Sequence, residues 1–310
     1  MLLAALPPAS VAGEWTPPRR PDDAASAPVV WDAEPGSQGL PRNFRSCDDA
    51  VEVPNGLDLA GLRPLRASGS GQFTAAGLAQ LRARLPKPVT VFDLRQESHV
   101  FVDGTPVSWY ATNNWANAER GHDEVLADER ARVTALLSTP EVVIADDRAQ
   151  KGRAAAGAPQ RVAVHEAATE QALVEAAGLD YVRIEVSDHA RPSDEEVDRF
   201  VLAVRALAPG SWVHFHCRAG RGRTTTFLVL YDMLRNADRV RLEDIAKRQE
   251  LLARDYDVLR PAPDGSWKAP YVADRIAFVR VFYAYARANP GGGPLSWREW
   301  LAGRVVRGAQ

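Results

Sequence analysis

Cysteine is scarce in this chain: 310 residues contain only Cys47 and Cys217. Two cysteines exclude a disulfide framework and fit one reactive thiol beside one bystander. Lysine is nearly as rare, so almost all of the 38 basic residues are Arg. Neither charge sign dominates, with 38 basic against 40 acidic residues and a net charge of -2. Bulk charge therefore selects neither a nucleic-acid partner nor a membrane surface, and any basic site must be local. No apolar run approaches the roughly 20 residues of a membrane-spanning helix. No cluster of His, Cys, Asp and Glu shows metal-ligand spacing, so no metal is expected. His214 and His216 are assigned to opposite faces of their strand.

What remains is a chain with 45% hydrophobic and 25% charged residues, enough for a sizeable core. Residues 1–39, rich in Pro, Ala, Ser and Asp, read as a flexible leader. Residues 1–13 resemble the end of a secretory signal, with small residues at Ser10 and Ala12 but no basic start. Periplasmic or secreted placement is the matching expectation, and a cytoplasmic chain with a disordered start the alternative. Residues 40–310 read as one folded domain carrying an irregular, aromatic-rich insertion at about 96–160.

The domain alternates strand and helix. Thr74 is placed to cap a helix carrying Leu78, Leu81 and Leu85, which Pro86 and Pro88 end before the strand Val89-Thr90-Val91-Phe92. A helix is expected at Asp123–Leu137, a strand at Val142–Ile144, and a helix from about Thr169 closed by Gly178. Tyr181–Val186 reads as a strand, and Ser193 with Glu196 as a capping box. Trp212–Phe215 reads as a strand, with helices from Gly222, at about 242–253 and at 269–289. This is an α/β pattern, in which ligands sit at the carboxyl ends of strands.

The most specific run is His216-Cys217-Arg218-Ala219-Gly220-Arg221-Gly222-Arg223-Thr224, between a strand and a helix. Successive backbone N–H groups can curl there around an anion at the positive end of the helix. Gly220 and Gly222 permit the curl, and Arg223 can fork two hydrogen bonds onto phosphate oxygens. A helix N-terminus and nearby guanidinium groups favour thiolate, the form that attacks phosphorus. A sulfur-transfer loop of the rhodanese type is disfavoured by the His-Cys start and the terminal Arg-Thr. Expelling an alkoxide needs a neutral acid that later serves as base. Asp188, after the strand at 181–186 and before Pro192, is the candidate, because Ser193 already fills the capping role.

These residues, with Asn43-Phe44-Arg45, Asp93 to His99, Pro106 to Tyr110, Asp188-His189 and Ser266-Trp267-Lys268, resemble the protein-tyrosine-phosphatase-like phytases across roughly residues 40–300. The resemblance implies a protein tyrosine phosphatase-like core, a central sheet flanked by helices, with a small partial β-barrel built from the insertion. It implies metal-independent, cofactor-free, stepwise hydrolysis of inositol hexakisphosphate through a phosphocysteine, with inositol phosphates as the small-molecule partner and no nucleic acid or membrane. A protein-tyrosine or phosphoinositide phosphatase is the alternative, and a non-catalytic anion-binding protein a remoter one. Cys217, Arg223, Asp188, His216 and Thr224 would carry the reaction. Arg218, Ala219, Gly220, Arg221, Gly222, His189, Arg45, Lys268, Lys151 and Arg153 would contact substrate. Two positions depart from the family pattern: Arg218 stands where a Glu is usual and Asn114 where an Asp is expected. Arg218 is read as strengthening anion capture or pairing with a surface carboxylate. Arg95 and Glu97 read as a structural pair, and His99 as either a functional or a buried, hydrogen-bonded residue. Trp109, Trp115, Trp212, Trp267, Trp297 and Trp300 read as packing residues.

Overall fold

A computed structural model describes residue 15, residues 17–146 and residues 157–308. The signal-like residues 1–13 and the cations Lys151 and Arg153 lie outside the described residues. The site is built on a five-stranded sheet in the order β10-β4-β11-β3-β2. Its strands are β2 (Arg45–Ser46), β3 (Ala67–Ser70), β4 (Val89–Asp93), β10 (Asp180–Arg183) and β11 (Trp212–His216). Only β2 runs antiparallel, beside β3 at the edge. Strands β4 and β11 are buried along their whole length, as expected of parallel strands covered on both faces.

The two faces of this sheet differ in chemistry. Phe92 and Phe215 turn to one face, where Phe200 packs edge-on against both and Phe227 packs edge-on against Phe200. Phe200 belongs to α4 (Asp194–Ala206) and Phe227 to α5 (Gly222–Asn236). Ser193 caps α4 by accepting from the Glu196 N–H, but Glu196 itself accepts from the Glu185 N–H, so the capping box is half formed. On the other face, His214 and His216 stack with ring centroids 6.5 Å apart. The opposite-face assignment was therefore wrong: residues two apart on a strand share a face. His214 is held by the hydroxyls of Ser68 and Ser70, and burial pushes its pKa down to about 3. It is a neutral packing residue.

The helix α1 (Ala75–Arg84) is capped by Thr74, which accepts from the Gly77 N–H, and it buries Leu78 and Leu81. Helices α6 (Leu242–Leu252), α7 (Ala269–Ala288) and α8 (Trp297–Gly308) close the core. The last of these was not expected from sequence. Its Trp297 and Trp300 are buried against Tyr285 of α7. Trp212 and Trp115 are buried as well, whereas Trp267 is 48% exposed and is not a core residue.

A second sheet, in the order β1-β6-β5-β9, is antiparallel throughout. It consists of β1 (Val29–Trp31), β5 (His99–Val102), β6 (Thr105–Trp109) and β9 (Ala167–Thr169). A hairpin of β7 (Glu141–Ile144) and β8 (Gln160–Ala163) adjoins it through a bridge between Val30 and Ala145. The helix α2 (His122–Leu137) packs Leu136 into the cluster of Val100, Val102, Val107 and Ile144. This sheet draws strands from both sides of the expected insertion. Order in the chain also begins before Leu40: Val30 is fully buried and pairs with Ser108, and Asp32 is 2% exposed. The leader reading fails from about Asp22 onward, because a three-residue Val-Val-Trp strand is too short to register against Pro/Ala-rich composition. The helix α3 (Glu170–Ala176), capped by Thr169, completes the described elements between β9 and β10.

Candidate active site

The run from His216 to Thr224 leaves the carboxyl end of β11 and enters α5. Its shape is fixed by close packing. Gly220 has φ of +74° and a Cβ there would lie 2.2 Å from the Gly71 N atom, so only glycine fits. From below, Arg45 donates to the Gly220 carbonyl at 2.7 Å and to Thr225 Oγ1 at 2.8 Å. Arg42 donates to the Arg218 carbonyl at 2.7 Å. The loop carbonyls are thus held outward. Among the described residues, the backbone N–H groups of Ala219 to Arg221 have no backbone acceptor, as an anion cradle requires.

Cys217 is buried at the start of this cradle, and Thr224 Oγ1 lies 3.1 Å from its Sγ, donating to it. Arg223 is 4% exposed, and both terminal nitrogens donate to Glu97, at 2.7 and 2.9 Å. Its buried Nε has no partner among the described residues. Burial disfavours the guanidinium charge, but Asp188 and Glu97 outweigh that and hold its pKa well above the ordinary value. Glu97 is clamped in turn by Arg95 at 2.9 Å. The Arg95–Glu97 pair is structural, as expected, yet it also aims the phosphate fork.

Asp188 faces this loop from the segment after β10. Its Oδ1 accepts from the His189 N–H at 3.0 Å and lies 3.4 Å from Arg223 Nη2. Trp115 Nε1 donates to the Asp188 carbonyl at 2.8 Å, and Asn114 Nδ2 to Asp188 Oδ2 at 3.3 Å. Burial alone would raise its pKa, but the Arg223 and His189 charges outweigh it and lower the pKa below the ordinary carboxyl value. His189, with φ of +70°, stands edge-on to the exposed Trp267, and the Lys268 ammonium lies 5.3 Å from that ring's centroid. Burial, reinforced by Lys268 and Arg223, lowers the His189 pKa. Ala219 and Arg221 are exposed on the loop, and Gly222 approaches Tyr256.

Two expected substrate contacts are placed elsewhere. Arg45 is 3% exposed beneath the loop, bracing it, and burial lowers its pKa to about 10. Arg218 is 4% exposed, and its Nε lies 2.5 Å from Asp32 Oδ1. Its carboxylate partner is buried, not on the surface. Asp32 comes from the far end of the chain, and nothing in the local sequence marked it.

Behind Cys217 lies a buried acid-base cluster. His216 Nε2 lies 2.6 Å from Glu170 Oε1, and His99 Nε2 lies 3.1 Å from Glu170 Oε2 and 3.2 Å from Asp93. Arg183 donates to Asp93 at 2.7 Å and to Glu129 at 3.0 Å. Asp93, His99 and Glu170 come close enough for their ligand atoms to surround an ion, a grouping that sequence spacing did not reveal. Protein groups already engage it, since Arg183 pairs with Asp93 and His216 Nε2 lies against Glu170. His99 is buried and ion-paired, the bland of its two readings.

A thiol in a glycine-turned amide cradle at a strand-helix junction, an Arg fork fixed by a carboxylate, and an Asp on a facing loop define the cysteine-dependent phosphatase class of the protein tyrosine phosphatase fold. A family model described as PTP-like phytase, inositol hexakisphosphate, matches residues 92–235. The solved PTP-like phytase from Bdellovibrio bacteriovorus is 40% identical with a TM-score of 0.74, over 93% of this chain and 98% of that one. The PTP-like myo-inositol phosphatase from Mitsuokella multacida, solved with myo-inositol-(1,3,4,5)-tetrakisphosphate, is 34% identical with a TM-score of 0.80, over 93% of this chain and 50% of that one. The effector protein hopD2 of Pseudomonas syringae pv. tomato is 33% identical over 289 residues, 92% of this chain, which spans 62% of that protein. The chain belongs to the PTP-like phytase family.

Proposed function

We propose that this protein removes phosphate groups one at a time from inositol polyphosphates, including the hexakisphosphate, through a phosphocysteine. The observation that carries the reading is Arg223, buried, locked on Glu97 and with no partner on its Nε among the described residues, beside Cys217 and opposite Asp188. A guanidinium aimed next to a nucleophilic thiol is suited to a phosphoryl group in attack position. Support for a polyphosphorylated substrate comes from the separate cations Arg221 and Lys268 outside the cradle, with the His189 imidazole beside them, and from the inositol phosphate bound by the Mitsuokella relative.

In this mechanism the Cys217 thiolate attacks phosphorus while loop amides and Arg223 hold the non-bridging oxygens. The phosphorus-oxygen ester bond breaks, and the leaving oxygen takes its proton from Asp188. Water then attacks the phosphocysteine, gives a proton to the Asp188 carboxylate, and the sulfur leaves as thiolate. Thr224 donates to that sulfur. Asp188 must be neutral for the first step although the free site favours its charge; a phosphate dianion arriving on Arg223 offsets the cation that holds the charged form.

The test is phosphate release from inositol hexakisphosphate in EDTA, compared with a phosphotyrosine peptide. Release from the inositol ester that vanishes in Cys217→Ser supports the proposal. Preference for the peptide favours the tyrosine phosphatase alternative.

A further inference from the structure

We propose that Asn114 is the proton-state partner of Asp188. Its amide N–H holds the charged Oδ2 of Asp188 and so opposes protonation of the acid. The inference rests on the phosphatase reading above and assigns Asn114 as a positioning residue.

Asn114 ends the turn Thr112–Asn114, with φ of +66° and 2% exposure. The same turn grips Asp188 twice, through Trp115 Nε1 on its carbonyl and Asn114 Nδ2 on its Oδ2. The two carboxyl oxygens are not equivalent. Oδ1 meets two donors, the His189 N–H and Arg223 Nη2. A proton on Oδ1 would face two donors and one on Oδ2 a single donor, the Asn114 amide, so the acid proton belongs on Oδ2 and forms only as that amide gives way. Beyond Asn114, the neighbour of Oδ2 is His189 Nε2 at 3.9 Å. Asn114 Oδ1 is buried and has no hydrogen-bond partner among the described residues. The amide thus presents a donor to the charged oxygen, which favours the carboxylate over the acid. A carboxylate at 114 would offer an acceptor only, and glycine neither.

The cycle needs both states. In the first step the proton leaves Oδ2 for the ester oxygen, and in the second it returns from the attacking water. The titratable groups facing Asp188 are Arg223, His189 and Glu97, with Tyr256 near it and Lys268 acting through His189. None of these changes when Asn114 alone is replaced.

The experiment is the pH dependence of kcat/KM for phenyl phosphate, an aryl ester that does not presuppose inositol recognition. Its falling limb at higher pH reports protonated Asp188. Asn114→Gly tolerates the positive φ and deletes the amide, and Asn114→Asp adds a like charge of the same shape. The falling limb is expected to move to higher pH in Asn114→Gly and further in Asn114→Asp. An unmoved limb in the variants that fold, or an equal loss at every pH, overturns the proposal; Asn114→Asp decides alone if the glycine variant does not fold. A parent protein active on phenyl phosphate but silent on inositol hexakisphosphate rejects the substrate reading and leaves this one standing. A parent silent on both overturns both.

Discussion

Asp32 Oδ1 and Arg218 Nε lie 2.5 Å apart, joining the end of the first strand to the residue after the nucleophile. The pair opens an alternating row of buried charges. Asp32 Oδ2 lies 2.8 Å from Arg95, Arg95 lies 2.9 Å from Glu97, and Glu97 holds Arg223. One row of ion pairs therefore ties the residue after the nucleophile to the phosphate fork of the same loop.

Breaking a buried pair by removing one charge strands the other, at a cost of about 3–5 kcal/mol. Asp32→Asn is expected to lose stability of that order in urea unfolding; a loss below about 1 kcal/mol contradicts the role given to the row. Arg95 and Arg218 outweigh the burial of Asp32 and lower its pKa, and Arg223 and Arg95 do the same for Glu97. A depressed carboxyl contributes stability that is present above its unfolded pKa and is lost as pH falls through the folded one. The melting temperature of the parent is expected to drop on acidification below about pH 4, and less steeply in Asp32→Asn.

Arg223→Lys keeps a charge but loses the fork. Burial on Glu97 leaves a lysine ammonium one point of contact where the guanidinium has a plane of donors. The expected loss in kcat is about 100-fold or more, measured on phenyl phosphate under saturating substrate. A rate near the parent's would contradict the assignment of Arg223 to the reacting phosphoryl group.

His99 gives a prediction at the other end of the pH scale. Burial and Arg95 oppose its charge, but Asp93 overcomes them and raises its pKa from 6.5 to about 10. A raised folded pKa contributes stability fully present below 6.5 that is gone above about 10. Melting temperature is expected to decline across that window, and His99→Gln to flatten the decline. An equally steep decline in the variant would place its cause in another group.

Much of this site was legible in the sequence because its signals are local. The run from His216 to Thr224, the capped helix after Thr74 and the position of Asp188 each rest on neighbours within a few residues. The missed features depend on contacts between distant segments. Asp32 matters only because β1 pairs with β6, and composition placed it in a leader. Arg45 and Arg218 are cations in a suggestive run, but whether each faces the substrate or the core is decided by folding. Glu170 reaches His216 from α3, 46 residues earlier in the chain, with no motif to announce it. The charged run Asp93 to Glu97 is local in sequence, but the fork that Glu97 fixes depends on Arg223 folding beside it from 126 residues later.

The most direct measurement is the time course of phosphate released from inositol hexakisphosphate in EDTA by the parent protein and by Cys217→Ser. Sustained release of successive phosphates by the parent, and none by the serine variant, is the predicted result. No release by the parent, or release that survives in Cys217→Ser, would contradict the central claim.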